Sequence, residues 1–188
     1  MISQDRFQKF EWVDFYKDAK EEIPIDAPAP RGREVGIHCF VDASHASDKV
    51  TRRSQTGILI FVNKAPVIFY SKRQNLVETC TFGSEFTAIK QAVELVKALR
   101  YKLRMFGVPL DGPASMYCDN EAVYKNVSMP ASVLNKKMHG ISYHYCREAV
   151  ASGTVQIAKE DTETNLSDLF TKVLTRQRRE ELLDRFVY

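Results

Sequence analysis

The sequence predicts a mixed α/β domain built on one five-stranded sheet, three antiparallel strands followed by two parallel ones, with helices on its faces. Three observations carry this. The β-rich runs VGIHCFVDA, TGILIFVN and APVIFYSK follow one another between Val35 and Lys72, and such a succession implies an antiparallel meander. From about Thr81 the apolar period lengthens, with Phe82, Phe86, Ile89, Val93, Val96 and Leu103 at helical spacing. Two further β-rich runs, ASMYC and TVQIAKE, are then separated by helical patterns, the arrangement of parallel strands joined by crossovers.

In chain order, residues 5–20 read as an amphipathic helix unusually rich in aromatics: Phe7, Phe10, Trp12, Phe15 and Tyr16. The run IPIDAPAPRGR that follows is an extended linker. The expected division is therefore an N-terminal helix and linker over 1–34, a compact domain over 35–174, and a C-terminal amphipathic helix over 175–188. Asn63-Lys64 turns the second strand into the third, and Gly107-Val108-Pro109 ends the long helix. NEAVYKNV reads as a short helix. A longer one covers roughly Leu134 to Ala151 and stops at Gly153, a residue suited to a left-handed cap. NLSDLFTK opens another helix, and a last amphipathic one runs over Arg178 to Phe186.

The 188 residues are 44% hydrophobic and 27% charged with a net charge of +3, a balance that permits a nucleic-acid partner without demanding one. Basic residues cluster at Arg52-Arg53, Lys72-Arg73, Lys97 to Arg104, Lys136-Lys137 and Arg176 to Arg179. The cysteines Cys39, Cys80, Cys118 and Cys146 form no C-x-x-C pair and have apolar flanks, so buried reduced thiols in an intracellular setting are expected. No run reaches membrane-spanning length and no signal peptide opens the chain, which reads as an excised piece of a longer protein.

Four acids stand out by position. Asp42 follows the apolar run Cys39-Phe40-Val41, and Asp119 follows Met116-Tyr117-Cys118 in the same way. Glu85 lies in the first turns of the long helix between Phe82 and Ile89, and Asp168 sits among Leu166, Leu169 and Phe170. Singly, each has a structural reading. Asp42 and Asp119 suit turns or caps, Glu85 suits a helix start, and Asp168 suits a capping-box partner of Asn165. Together they suggest more, because ligands of open α/β sheets collect beyond the carboxyl ends of adjacent parallel strands. Four carboxylates gathered there repel unless divalent cations neutralise them. Mg²⁺ takes hard oxygen ligands and keeps waters for a phosphate substrate. Two such ions about 3.5–4 Å apart serve phosphodiester hydrolysis.

The element order, with acids in the order Asp, Glu, Asp, Asp, resembles ribonuclease H. More narrowly, FVDASHASDKVTRRSQTGILIF, YSKRQNLVETCTFGSEFTAI, MYCDNEAV, KMHGISYHYCREAV and NLSDLFTKVL resemble the ribonuclease H domain of copia-type retrotransposon reverse transcriptases over about residues 36–174. CDN before a helix and D-x-F-T-K are specific in this combination. The resemblance implies a ribonuclease H-like fold, with Asp42, Glu85, Asp119 and Asp168 as catalytic metal ligands. Asp42 would bridge two Mg²⁺ ions, with Mn²⁺ as the expected substitute. Asp119 and Glu85 would complete one cation site and Asp168 the other. It implies hydrolysis of the RNA strand of RNA/DNA hybrids, a polymerase domain of the same polyprotein as partner, no membrane, and a cytoplasmic virus-like particle or the nucleus as location. Val173 stands where the family usually has proline, and GSEFTAI where it usually reads close to S-T-E-A-E-Y.

For substrate contact, Arg52, Arg53, Lys72 and Arg73 flank the second hairpin and suit phosphates. Ser84 and Asn120, beside the acids, suit 2′-hydroxyls; a helix-start serine and a turn asparagine are the alternatives. His45, three past Asp42, is expected at the surface. His139 and His144 are a poor metal pair, with a structural or substrate-side role open to His139.

Overall fold

The computed structural model describes residues 10–134 and 139–187. One sheet organises it, formed by β1 (Ile37–Ser44), β2 (Gln55–Val62), β3 (Ala65–Arg73), β4 (Ala114–Cys118) and β5 (Val155–Lys159), in the order β3-β2-β1-β4-β5. β1 pairs antiparallel with β2 and β2 with β3, whereas β1–β4 and β4–β5 are parallel. This is the predicted mixed sheet. The helices are α1 (Trp12–Tyr16), α2 (Thr81–Met105), α3 (Glu121–Ser128), α4 (Gly140–Ala151), α5 (Asp168–Thr171) and α6 (Arg176–Leu183).

Both faces of the sheet are covered, which is why β2 is buried over six consecutive residues instead of alternating. Ile37, Cys39, Val41 and Ala43 of β1 join Phe86, Ile89, Val93 and Val96 of α2 in the main core. On the other face Leu59 and Phe61 meet Leu166, Leu182 and Phe186, with Phe40 packed against them. The C-terminal helix thus supplies core. The outer strand β3 carries Pro66, Lys72 and Arg73, residues that discourage further pairing on an open edge.

Two buried arginines tie irregular segments to this body, and neither was legible as structural. Arg100 (3% exposed) holds Glu21 through two bonds of 2.6 and 2.7 Å and donates to the Gly112 carbonyl, so the segment leading into the proline-rich linker is docked on α2. Arg147 (1% exposed) donates to the carbonyls of Asn126, Met129 and Pro130 and to Ser132, with its guanidinium over the rings of Trp12 and Tyr143. It stitches α1, α4 and the loop after α3 together.

Several boundaries differ from expectation. Of the helix predicted over 5–20, α1 covers only Trp12–Tyr16; Phe7 lies outside the described residues. α4 begins at Gly140, and Lys136-Lys137 also fall outside them. Cys39, Cys118 and Cys146 are buried, but Cys80 is half-buried because its sulfur caps α2, accepting from the Gly83 N–H. No helix among the described residues is long and apolar enough to cross a membrane.

Candidate active site

Strand register assembles the site. In the parallel pair, His38 faces Ser115, Cys39 faces Met116 and Phe40 faces Tyr117. Two residues further along both chains are Asp42 and Asp119, side by side. The pairing explains why both apolar runs break at an acid: the strands are rigid inside the core, and the carboxylates emerge where pairing ends. Asp42 is two residues short of the end of β1, and Asp119 immediately follows β4. The start of α2 packs on β1 and brings Glu85 to the same place. Carboxylate oxygens of Asp42, Glu85 and Asp119 all lie within 4.8 Å of one another.

Asp168 arrives on α5, a four-residue helix fixed to the sheet by side chains. Asn165, fully buried, donates to the Val41 carbonyl at 3.2 Å and accepts from the N–H and hydroxyl of Ser167. Asn165 therefore anchors the loop and does not form the expected capping pair with Asp168; the helix cap position is Ser167. Thr171 donates to Asp42 Oδ2, and Ser71 of β3 donates to the Phe170 carbonyl at 2.6 Å. Lys172 Nζ lies 2.6 Å from Asp168 Oδ1 and 3.6 Å from Asp42 Oδ2. Asp168 is joined to the cluster through this ammonium.

Gly57 makes the close approach of α5 possible. A Cβ there would lie 2.6 Å from Thr171 Cγ2, 2.8 Å from the Ser167 carbonyl oxygen and 2.9 Å from Phe170 Cβ. Gly57→Ala is expected to push α5 outward, destabilise the chain by about 1–3 kcal/mol and weaken Mg²⁺ binding. Thermal melting with and without Mg²⁺ checks this. An alanine variant with wild-type melting and an unchanged Mg²⁺ response would show that the contact does not position Asp168.

Crowding sets the electrostatics. Burial, followed by the charges of Asp42 and Asp119, pushes Glu85 up to about 9. Asp119 is raised by burial and by Asp42. Burial raises Asp168 against the opposing Lys172 hydrogen bond, with the charge of Asp42 adding to the rise. Burial acts to lower Lys172, but its bond to Asp168 and the fields of Asp42, Asp168 and Asp119 outweigh it and raise the ammonium. A cluster that holds protons this tightly has too little positive charge for its carboxylates, Lys172 notwithstanding. Its donor set suits a small hard cation: Asp42, Glu85 and Asp119 offer three carboxylate oxygens gathered at one place, the ligand type Mg²⁺ takes.

The expected substrate-contact residues fare unevenly. Arg52 is exposed at the tip of the β1–β2 loop and Arg53 is half-buried. Asp48, which accepts from Val50, Thr51 and Arg73, braces that loop. Arg73 is consequently paired, at 2.5 Å from Asp48, while Lys72 is exposed and has no ion pair among the described residues. Ser84 is a correction: it is fully buried and donates to the Thr81 carbonyl at 2.8 Å, so its hydroxyl serves the helix start and not the surface. Asn120 caps α3 by accepting from the Val123 N–H and stays half-exposed. His45 is half-buried and not free at the surface. His139 is buried against Phe82 and Phe86 with Glu78 at 3.5 Å, a packing role.

Thr171 and Lys172 are the site residues that sequence reasoning passed over. The signal was present: both belong to the D-x-F-T-K run, three and four residues after Asp168.

The chain is 27% identical over 146 residues, 78% of its length, to the retrovirus-related Pol polyprotein from transposon RE1 of Arabidopsis thaliana. It is 26% identical over 139 residues to that from transposon TNT 1-94 of Nicotiana tabacum. It spans about a tenth of the length of these relatives. No family model matches. Among solved structures, LC11-RNase H1 in complex with an RNA/DNA hybrid matches with a TM-score of 0.56 at 14% identity, covering 72% of this chain and 93% of that one. RNase H1 of Halobacterium salinarum matches at 0.53 and 16%, covering 79% and 97%. The foamy viral protease-reverse transcriptase in complex with an RNA/DNA hybrid matches at 0.50 and 17%, covering 87% of this chain and 23% of that one. The chain is thus a homologue of the retrovirus-related Pol polyproteins of plant transposons, and the homologous segment has the ribonuclease H fold, as expected of the ribonuclease H domain of a copia-type element.

Proposed function

We propose that this chain is an endoribonuclease that hydrolyses the RNA strand of RNA/DNA hybrids during retrotransposon reverse transcription. The observation that carries the reading is the convergence of Asp42, Glu85 and Asp119 beyond two adjacent parallel strands, with Asp168 held beside Asp42. Asp42, Glu85 and Asp119 would hold one divalent cation, and Asp42 with Asp168 a second. Bound there, Mg²⁺ would supply an activated water and charge stabilisation at the leaving oxygen. The protein's part is to hold the carboxylates on elements packed against the sheet, with Asp42, Glu85 and Asp168 buried, and to orient Asp42 through the Thr171 hydroxyl. Attack on phosphorus with departure of the ribose 3′-oxygen leaves a 3′-hydroxyl and a 5′-phosphate. Exposed Arg52 and Lys72 would meet backbone phosphates, and Asn120 the RNA strand at a 2′-hydroxyl.

The test is cleavage of a labelled hybrid with Mg²⁺ omitted, added, and replaced by Ca²⁺. Cleavage with Mg²⁺ alone is expected; equal cleavage in a chelator would overturn the reading.

The partner would be the polymerase domain of the same polyprotein. Phe10, Val13 and Phe15 are exposed around α1, and an apolar face of this kind suits a domain interface. It also favours a second reading, a hybrid-holding module that cuts slowly until the polymerase is attached. Comparing cleavage with and without the polymerase portion separates the two.

A further inference from the structure

The carboxylate cluster has two unlike halves. Asp42, Glu85 and Asp119 form a compact group in which, among the described residues, neither Glu85 nor Asp119 has an ion-pair partner, whereas Asp42 and Asp168 share the ammonium of Lys172. Among the described residues, Lys172 is the one basic side chain within 4.0 Å of any of the four acids. The Asp42 and Asp168 side chains are only 2% and 7% exposed, but Lys172 is 35% exposed. The acids are fixed, and the lysine has a way out.

Resting on the metal-dependent reading above, we propose that Lys172 is a built-in counter-ion occupying the second cation position, so that its ammonium and the second divalent cation exclude one another. Lys172 stands at the C-cap of α5 with extended backbone, just past the helix and four residues after Asp168. Its flexible stem can therefore swing the head away without unwinding anything. A compact ammonium suits this exchange better than a planar guanidinium, which would lock both oxygens of one carboxylate. Without the ammonium, two buried carboxylates would face each other uncompensated, a strongly destabilising arrangement. With it, the site stays assembled before metal arrives, and the second cation binds more weakly than the first because it must displace a resident charge. Coupling between two ligands is reciprocal, so removing the ammonium must strengthen the cation.

The experiment is calorimetric titration of the whole chain with Mg²⁺ alone, without nucleic acid, beside thermal melting in chelator, for wild type, Lys172→Met and Lys172→Arg. Lys172→Met is expected to melt several degrees lower without metal and to bind the weaker Mg²⁺ about tenfold more tightly. Lys172→Arg, which keeps the charge, should recover the metal-free melting point. Should Lys172→Met fail to fold in chelator, Mg²⁺ must restore it; a chain still unfolded in saturating Mg²⁺ overturns the proposal. A wild type that binds two ions beside a Lys172→Met chain that binds neither more tightly overturns the lysine's role and leaves the metal-dependent reading intact. A wild type that binds no divalent cation removes both.

Discussion

An Asp119→Asn chain is expected to cut the RNA strand of an RNA/DNA hybrid about a thousandfold more slowly than wild type, the loss of ~4 kcal/mol of transition-state charge stabilisation. The substitution is nearly isosteric, and Asp119 follows β4 at a half-exposed position. It removes a negative charge from a crowded site, so folding should not suffer. Metal-free melting at neutral pH should be equal or higher, since Asp119 raises Glu85 and Asp168 by repulsion. Activity and stability therefore move in opposite directions, which separates a chemical role from a structural one. An Asp119→Asn chain that cuts at the wild-type rate would exclude Asp119 from the chemistry.

Metal-free stability is expected to fall as pH rises, and Glu85→Gln should remove most of that slope. The carboxyl of Glu85 moves from an ordinary 4.5 to about 9 in the folded, metal-free chain. Between those values the folded state keeps a proton that the unfolded chain has lost. The stabilisation is therefore fully present below about pH 4.5 and is lost as pH rises through about 9, at a slope of about 1 kcal/mol per pH unit. Asp119 and Asp168, both raised, act in the same direction. A divalent cation must displace the Glu85 proton, so Mg²⁺ binding near pH 7 should release about one proton per chain and strengthen toward pH 9. Chelator-treated melting curves from pH 5 to 9, and binding heats in buffers of different ionisation enthalpy, measure both effects. A wild-type slope that persists in Glu85→Gln would assign the titration elsewhere.

The halves of the site were unequally legible. Asp42 and Asp119 could be read because three apolar residues precede each, so burial makes the following charge conspicuous. Their adjacency is not local information: it follows from a meander and a crossover that bring β4 beside β1. Glu85 was visible as an acid on an apolar helix stripe. α5 was harder, because a four-residue helix has no period to detect and is held through contacts with Val41, Gly57 and Ser71 from distant parts of the chain. Lys172, Arg100 and Arg147 were missed for one shared reason. Charged residues are assigned to solvated faces from sequence, whereas here each compensates buried carboxylates or carbonyls. Ser84 failed in the opposite sense: proximity to Glu85 in sequence suggested substrate, but the helix start turns its hydroxyl inward.

The most direct test is strand-resolved cleavage of a hybrid labelled on RNA or on DNA, incubated with this chain and Mg²⁺ beside its Asp42→Asn variant. The account predicts that wild type cuts only the RNA strand, leaving 3′-hydroxyl and 5′-phosphate ends, and that the variant leaves both strands whole. Cleavage of the DNA strand at a comparable rate, or RNA cleavage undiminished in Asp42→Asn, would contradict it.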